Sequence, residues 1–215
     1  MSGKLSVVAT PIGNLEDITL RALRILKEAD YVACEDTRMT RKLLSHFGIK
    51  TPAVNIKQVE KLLSENRHVA LVSDAGTPGV SDPGLEIVSR ARKAGARVET
   101  IPGASALTAA LAVAGLRAPT FTFYGFLPHK KGRDKLLRTI IQDERASVFF
   151  ESPHRIMKTL NALHSLGLKR RIGTFRELTK VHEEHVVGTA EEVLQHFAKN
   201  VDKQRGEFVV IVEGV

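Results

Sequence analysis

Short runs of β-branched and apolar residues alternate with amphipathic stretches through the first half of this chain, and that alternation restricts it to the α/β class. Leu5-Ser6-Val7-Val8-Ala9 predicts a buried strand, followed by a turn-forming Pro-Ile-Gly-Asn run. Between Thr19 and Ala29, Leu20, Leu23 and Leu26 recur at helical spacing while Arg21, Arg24 and Lys27 face elsewhere. Tyr31 to Cys34 predicts a second strand, residues 41–47 a helix stopped by Gly48, and residues 56–65 a further helix. Val69 to Val72 reads as a central strand. Asp82-Pro83 then predicts a helix start, aspartate as the cap and proline in the first helical position, running to near Gly95. A strand over 98–101 and a small-residue helix over 104–114 complete this half.

Gly115 to Pro119 is the linker expected from composition, so the chain is divided into domains 1–117 and 118–215. A length of 215 residues accommodates two compact domains. Strands are expected over 121–124, 148–150, 172–175, 185–187 and 208–212, with helices over 155–166 and 191–198 and one more ahead of residue 148. Strands outnumber helices here, which predicts a mixed sheet.

Lys and Arg total 32 against 24 Asp and Glu, a net charge of +8 that favours a polyanionic partner or simply a basic surface. Aromatic residues make up 5% and Trp is absent, which leaves little material for a base-stacking platform. Cys34 is the single cysteine, so no intramolecular disulfide can form and a reducing compartment is the natural home. It lies in an apolar run and is expected in the core. The start, Met1-Ser2-Gly3-Lys4-Leu5, lacks a signal-peptide pattern, and no segment reaches the ~18 apolar residues of a membrane span. A soluble, cytoplasmic protein without a membrane partner is expected.

Several chemistries are poorly supported. His182-Glu183-Glu184-His185 is not H-E-x-x-H, so no metal is expected. Ser152-Pro153-His154 lacks the G-x-S-x-G elbow of a serine hydrolase. Neither the dinucleotide fingerprint nor the P-loop occurs. What remains are three loops at the carboxyl ends of predicted strands: residues 10–14, 73–79 and 102–106. Ligands of open α/β sheets bind at such ends. Gly and Ala let a flat ligand approach the backbone, while Ser, Thr and free N–H groups supply polar contacts. One such loop is ordinary turn chemistry; three together point to a shared site.

The runs Val-Ala-Thr-Pro-Ile-Gly-Asn-Leu-Glu-Asp-Ile-Thr (8–19), Cys-Glu-Asp-Thr-Arg (34–38), Ser-Asp-Ala-Gly-Thr-Pro (73–78), Ser-Asp-Pro-Gly (81–84) and Ile-Pro-Gly-Ala-Ser-Ala (101–106) lie in the first half. Gly-Phe-Leu-Pro (125–128), Glu-Ser-Pro-His-Arg (151–155), Arg-Glu-Leu-Thr-Lys (176–180) and Gly-Glu-Phe (206–208) lie in the second. In that order they resemble the ribosomal RNA small subunit methyltransferase I family of the tetrapyrrole methylase superfamily. The resemblance implies two α/β domains of the tetrapyrrole methylase type, S-adenosylmethionine bound in the cleft between them, and a homodimer. It implies 2′-O-methylation of the ribose of a decoding-centre cytidine in 16S ribosomal RNA, with that RNA or the small subunit as partner.

By the same resemblance Pro11, Asp74, Ala75, Gly76, Thr77, Ser105 and Ala106 would line the cofactor pocket, joined by Glu151, Ser152 and Glu207 near the adenosine end. Asp74 could accept a ribose hydroxyl proton or cap the following turn. Candidates for removing the proton from the attacked hydroxyl are Asp36 and Glu35 after the second strand and Lys180, Glu177 and Glu183 in the second domain; for Asp36 a helix cap or an ion pair with Arg38 is the stronger reading. Arg38, Arg41 and Lys42 form one basic group and Lys130, Lys131 and Arg133 another, each either an RNA phosphate contact or a solvated face. Arg155, His154 and Arg176 would extend a basic rim. Two rival functions remain: methylation of a tetrapyrrole or other small molecule, and a non-catalytic RNA-binding ribosome assembly factor. One departure is visible, since the stretch Ala53 to His68 is shorter than its counterpart in the family, which carries a Tyr-His-x-His-Asn-like element there.

Overall fold

The computed structural model describes residues 3–215; Met1 and Ser2, the beginning of the segment tested above for a signal peptide, lie outside the described residues. The chain divides into two compact units, Met1–Ser105 and Ala106–Val215.

The first unit holds five parallel strands, β1 (Lys4–Val8), β2 (Tyr31–Cys34), β3 (Ala53–Asn55), β4 (His68–Leu71) and β5 (Arg97–Ile101), in the order β3-β2-β4-β1-β5. Four helices cover it: α1 (Leu20–Glu28), α2 (Thr37–His46), α3 (Val59–Ser64) and α4 (Gly84–Lys93). Val8, Val32, Cys34 and Ala70 pack with Leu26 and Leu44 of α1 and α2. Leu5, Ala33, Val69 and Leu71 pack with Leu62 and Ala91 of α3 and α4. Both sheet faces are therefore buried, which is why these strands read as continuous apolar runs instead of alternating ones.

Three local details differ from expectation. Helix α2 begins at Thr37, ahead of residue 41, because the Asp36 side chain caps it by accepting from the Arg38 N–H at 2.8 Å. Strand β3 is three residues long, too short to show a period. At α4 it is the Pro83 carbonyl that accepts the first helical bond, so proline occupies the cap itself. Asp82 stands one position earlier, accepting from the N–H groups of Gly84 at 2.7 Å and Gly79 at 2.8 Å.

The second unit begins with α5 (Ala106–Val113), which packs on the last strand and so belongs to this unit although it precedes the 115–119 segment. Its strands are β6 (Phe121–Phe126), β7 (Ala146–Glu151), β8 (Ile172–Arg176), β9 (Glu184–Gly188) and β10 (Phe208–Val212), ordered β6-β7-β10-β8-β9. Only β6 and β7 run parallel; the other neighbours are antiparallel, giving the mixed sheet predicted. Helices α6 (Arg133–Gln142), α7 (Ile156–Ser165) and α8 (Ala190–Lys199) bury Leu137, Leu160 and Phe197 against Phe149 and Val210 on one sheet face. Helix α8 starts with a capping box, Thr189 and Glu192 each satisfying the other's backbone N–H.

Candidate functional site

Parallel strands release their following loops at one edge, and β4, β1 and β5 are neighbours, so the loops after them are neighbours too. Hydrogen bonds tie these loops together. Thr10 and Gly76 exchange backbone bonds at 2.9 and 3.1 Å, and the Thr77 hydroxyl donates to the Ala104 carbonyl at 3.0 Å. The Ser73 hydroxyl is turned inward, donating to the Ala75 carbonyl at 3.2 Å. Thr77 therefore spends its hydroxyl on loop-to-loop contact.

Glycine is required twice in this assembly. Gly76 has φ +78°, and a Cβ there would stand 3.2 Å from Ile12 Cγ2. At Gly103 a Cβ would stand 3.0 Å from the Ala9 Cβ. Ser81 holds a left-handed φ of +69° in the loop leading to α4. A non-glycine residue held there costs about 1–3 kcal/mol, and such strain clusters at ligand clamps. Pro11 is buried beneath this edge, whereas Asp74 and Ala75 are exposed on it. Among the described residues the Asp74 carboxylate accepts no hydrogen bond from the turn, so its capping role is not taken.

By the resemblance this loop would line the cofactor pocket, so Gly76→Val should abolish binding of S-adenosylmethionine in calorimetry, because a branched side chain is strained at φ +78° and displaces Ile12. A folded variant with wild-type affinity would remove this loop from the cofactor site.

Strand β2 is followed beside this edge by Glu35 and Asp36, whose environments diverge. Glu35 is exposed, but partial desolvation at this edge still pushes its carboxyl above its ordinary value, and the nearby charges of Asp74 and Asp82 add to the rise. Asp36 goes the other way, down to about 2, because the Arg38 side chain hydrogen-bonds it and the Arg38 and Met39 N–H groups assist. The Arg38 guanidinium donates to both Asp36 oxygens, at 3.1 and 2.8 Å. Asp36 is thus a helix cap and ion-pair partner, and its carboxylate is a weaker base than that of Glu35.

Since the folded state depresses the Asp36 pKa from 3.8 to about 2, its contribution to stability is present above pH 3.8 and is lost as pH falls through about 2. Asp36→Ala should therefore lower Tm at neutral pH and lose that margin near pH 2; equal Tm differences at both pH values would contradict the cap.

In the second unit four quoted motifs meet at one edge of the sheet. Phe208 pairs with Glu151 on one side and with Arg176 on the other, while Phe126 pairs with Phe150. Here the structure corrects several assignments. Glu151 is fully buried and committed: its oxygens accept from Arg133 at 3.0 Å, Thr159 at 2.6 Å and the Ser152 N–H at 2.9 Å, and pair with Arg155 at 2.9 Å. Arg133 also donates to Thr159 and to the Pro128 carbonyl, and is only 4% exposed, so it is removed from the RNA-facing cations. Arg155 donates to the Leu127 carbonyl at 2.8 Å and to the Ser152 hydroxyl at 3.2 Å. This buried group pins Gly-Phe-Leu-Pro to Glu-Ser-Pro-His-Arg and engages both oxygens of the Glu151 carboxylate. Arg176 is likewise buried, donating to the Arg205 carbonyl.

Lys180 lies between Glu177 and Glu207, at 2.8 Å from each. Burial alone would lower its pKa, but those two hydrogen bonds and charges hold it above the ordinary lysine range, which disqualifies it as a proton acceptor. Gly206, at φ +93°, leaves room for Glu177: a Cβ there would stand 2.5 Å from the Glu177 Cγ. Glu183 is used locally, accepting from the Thr179 N–H. Ser105 and Ala106 are half-buried. Arg38, Arg41, Lys42, Lys130, Lys131 and His154 are exposed, as is the Glu207 carboxylate. Among the described residues no group of three or more His, Cys, Asp or Glu is placed to hold a metal ion, and no helix is long and apolar enough to cross a membrane.

Asp82 escaped the sequence-based site because its sequence context, Ser-Asp-Pro, reads as a helix start, and its effect on Glu35 depends on a long-range approach.

The family profile described as Tetrapyrrole (Corrin/Porphyrin) Methylases matches residues 4–194. A Thermotoga maritima protein named "Ribosomal RNA small subunit methyltransferase I" is 44% identical over 221 residues, covering 99% of this chain and 99% of that protein. A protein of the same name from Halalkalibacterium halodurans is 47% identical over 222 residues, covering 99% of this chain and 76% of that one. Among solved structures, a cobalt precorrin-4 methyltransferase, a cobalamin biosynthetic enzyme, matches with TM-score 0.68 at 16% identity over 97% of this chain and 94% of its own, a likeness of fold.

Proposed function

We infer the reaction from one premise: this chain belongs to the tetrapyrrole (corrin/porphyrin) methylase family and, within it, groups with proteins named ribosomal RNA small subunit methyltransferase I. It is an S-adenosylmethionine-dependent methyltransferase of small-subunit ribosomal RNA. The finer assignment is transfer to the ribose 2′-hydroxyl of a decoding-centre cytidine.

The observation that carries the cofactor placement is the stitched loop edge of the first unit. Gly76 and Gly103 let these loops pack closely on Ile12 and Ala9, Ala75 is exposed on the same edge, and the Asp74 carboxylate stands ready to accept from hydroxyl groups. When bound there, S-adenosylmethionine supplies a methyl group on a cationic sulfur. The grouped carboxylates of Glu35, Asp74 and Asp82 favour a cation at this edge. Alignment of the attacked hydroxyl supplies most of the acceleration, on the order of 7–11 kcal/mol. The Glu35 carboxylate takes the hydroxyl proton, because partial desolvation and its acidic neighbours raise its basicity while Arg38 suppresses that of Asp36. Arg38, Arg41 and Lys42 stand exposed after the same strand as phosphate contacts. A homodimer and a cytoplasmic location are part of this proposal, supported by the superfamily resemblance and by a lone, buried thiol.

The test is transfer of labelled methyl from S-adenosylmethionine to small subunits lacking the modification, set beside naked ribosomal RNA and a tetrapyrrole acceptor. Labelled RNA is the expected result. Label in the tetrapyrrole alone would move the substrate class, and cofactor binding without any transfer would favour an assembly factor.

A further inference from the structure

The chain has nine phenylalanines, and four of them gather on one face of the second sheet. Strand alternation sends Phe121 and Phe123 to the same face of β6, opposite Tyr124, which packs against the helical core. Continued alternation would point Phe126 the other way. Instead the pairing with β7 slips: Phe123 stands opposite Val148 and Phe126 opposite Phe150, so β6 carries one extra residue. Gly125, at φ +61°, lies in this bulge, and a bulge re-aims the side chain that follows it. Phe126 is returned to the face of Phe123. Both rings pack edge-on against Phe150, with centroids 5.4 and 5.0 Å away. Phe149, pointing to the opposite face, is wholly buried under the helices.

This aromatic row is not a finished core. Phe126 is 55% exposed and Phe121 42%, on the edge strand of the sheet. Directly after Phe126 the chain enters the exposed loop carrying Lys130 and Lys131, neither of which forms an ion pair among the described residues. Lys130 follows Phe126 by four residues and Lys131 by five, so even a fully extended chain keeps their Cα atoms within about 14 and 18 Å of Phe126. That neighbourhood decides between occupants. Lysine is depleted from the centres of protein–protein interfaces. Single-strand sites instead combine positive charge that tracks the backbone with aromatic rings on which bases stack. The net charge of +8 acts in the same direction.

We propose that Phe121, Phe123, Phe126 and Phe150 form a stacking platform for unpaired bases of the RNA substrate, with Lys130 and Lys131 holding the adjoining phosphates. The proposal rests on the RNA methyltransferase function above and deepens it, naming single-stranded RNA as the form recognised at this surface. Low aromatic content does not preclude such a platform, because placement matters more than number.

The experiment measures binding of the full-length protein to a fluorescein-labelled single-stranded RNA oligonucleotide, and to a duplex of the same length, by anisotropy. Phe126→Ala and Phe121→Ala remove exposed rings and are expected to fold, which circular dichroism checks. Each should weaken single-strand binding by about fivefold or more while leaving duplex binding and S-adenosylmethionine affinity unchanged. Phe126→Trp should restore affinity, whereas Phe126→Leu, apolar but without a π-face, should not. The double variant Lys130→Gln/Lys131→Gln should flatten the salt dependence by about 1.4 in log–log slope, at ~0.7 per phosphate contact. Unchanged RNA affinity in the alanine variants overturns the proposal, and a simultaneous loss of dimer in sedimentation would identify a second copy as the occupant. Leucine performing as well as tryptophan also overturns stacking. Wild-type protein that methylates subunits while the alanine variants do so equally well sinks the platform alone; wild-type protein that neither binds nor methylates RNA sinks it together with the underlying function.

Discussion

Glu35→Gln is expected to lower kcat for methyl transfer by about 10²–10⁴-fold, with little change in affinity for S-adenosylmethionine. The substitution keeps the shape of the side chain and removes its ability to take a proton. The two neighbours Glu35 and Asp36 provide an internal comparison. Arg38 holds Asp36 down to about 2, and so little basicity remains there. Partial desolvation and the charges of Asp74 and Asp82 raise Glu35 above its ordinary 4.5, nearer to the pH at which a base is useful. Asp36→Asn, which retains a capping oxygen, should therefore keep most of the wild-type kcat. The wild-type rate should rise with pH through the raised Glu35 pKa, and that limb should vanish in Glu35→Gln. A wild-type kcat in Glu35→Gln would mean that the hydroxyl proton leaves to solvent or another group.

The second large effect belongs to Glu151. Glu151→Ala strands Arg133, which is 4% exposed, without its carboxylate. Breaking a buried pair in this way costs about 3–5 kcal/mol. At roughly 2–4 °C per kcal/mol for a chain of this size, Tm should fall by on the order of 10 °C. Thr159 and Arg155 also lose an acceptor, so the loop carrying Gly-Phe-Leu-Pro should loosen with it. Replacing Arg133 and Glu151 together by apolar residues of similar volume should recover much of the loss, because no uncompensated charge then remains. A folded Glu151→Ala protein with normal Tm but weakened cofactor affinity would assign Glu151 to ligand contact instead.

What was legible in the sequence follows from how locally each feature is determined. Strands β1, β2 and β4 could be read because burial on both faces writes an unbroken apolar run. The three loops could be read because their Gly, Pro, Ser and Thr content marks turns after strands, although the steric demands at Gly76 and Gly103 come from Ile12 and Ala9, far away in sequence. Asp36 was readable as a helix cap, but the early start of α2 was missed because the strand beside it dominates the local pattern. The buried group around Glu151 was hidden for a stronger reason. Arg133 opens α6 while Arg155 and Thr159 sit at the start of α7, and nothing in their spacing distinguishes a committed cation from a free one. Composition misled in the same way about Phe126, whose direction is set by a bulge and not by strand alternation.

The central claim is that this protein places a methyl group on a ribose hydroxyl of small-subunit ribosomal RNA, and nucleoside analysis of the methylated RNA tests it most directly. Small subunits lacking the modification are incubated with the protein and labelled S-adenosylmethionine, and the RNA is digested and its labelled nucleoside identified and mapped. The account predicts 2′-O-methylcytidine at a decoding-centre position, formed by wild-type protein and strongly reduced with Glu35→Gln. Label confined to a base-methylated nucleoside, or no label in RNA from an intact subunit, would contradict it.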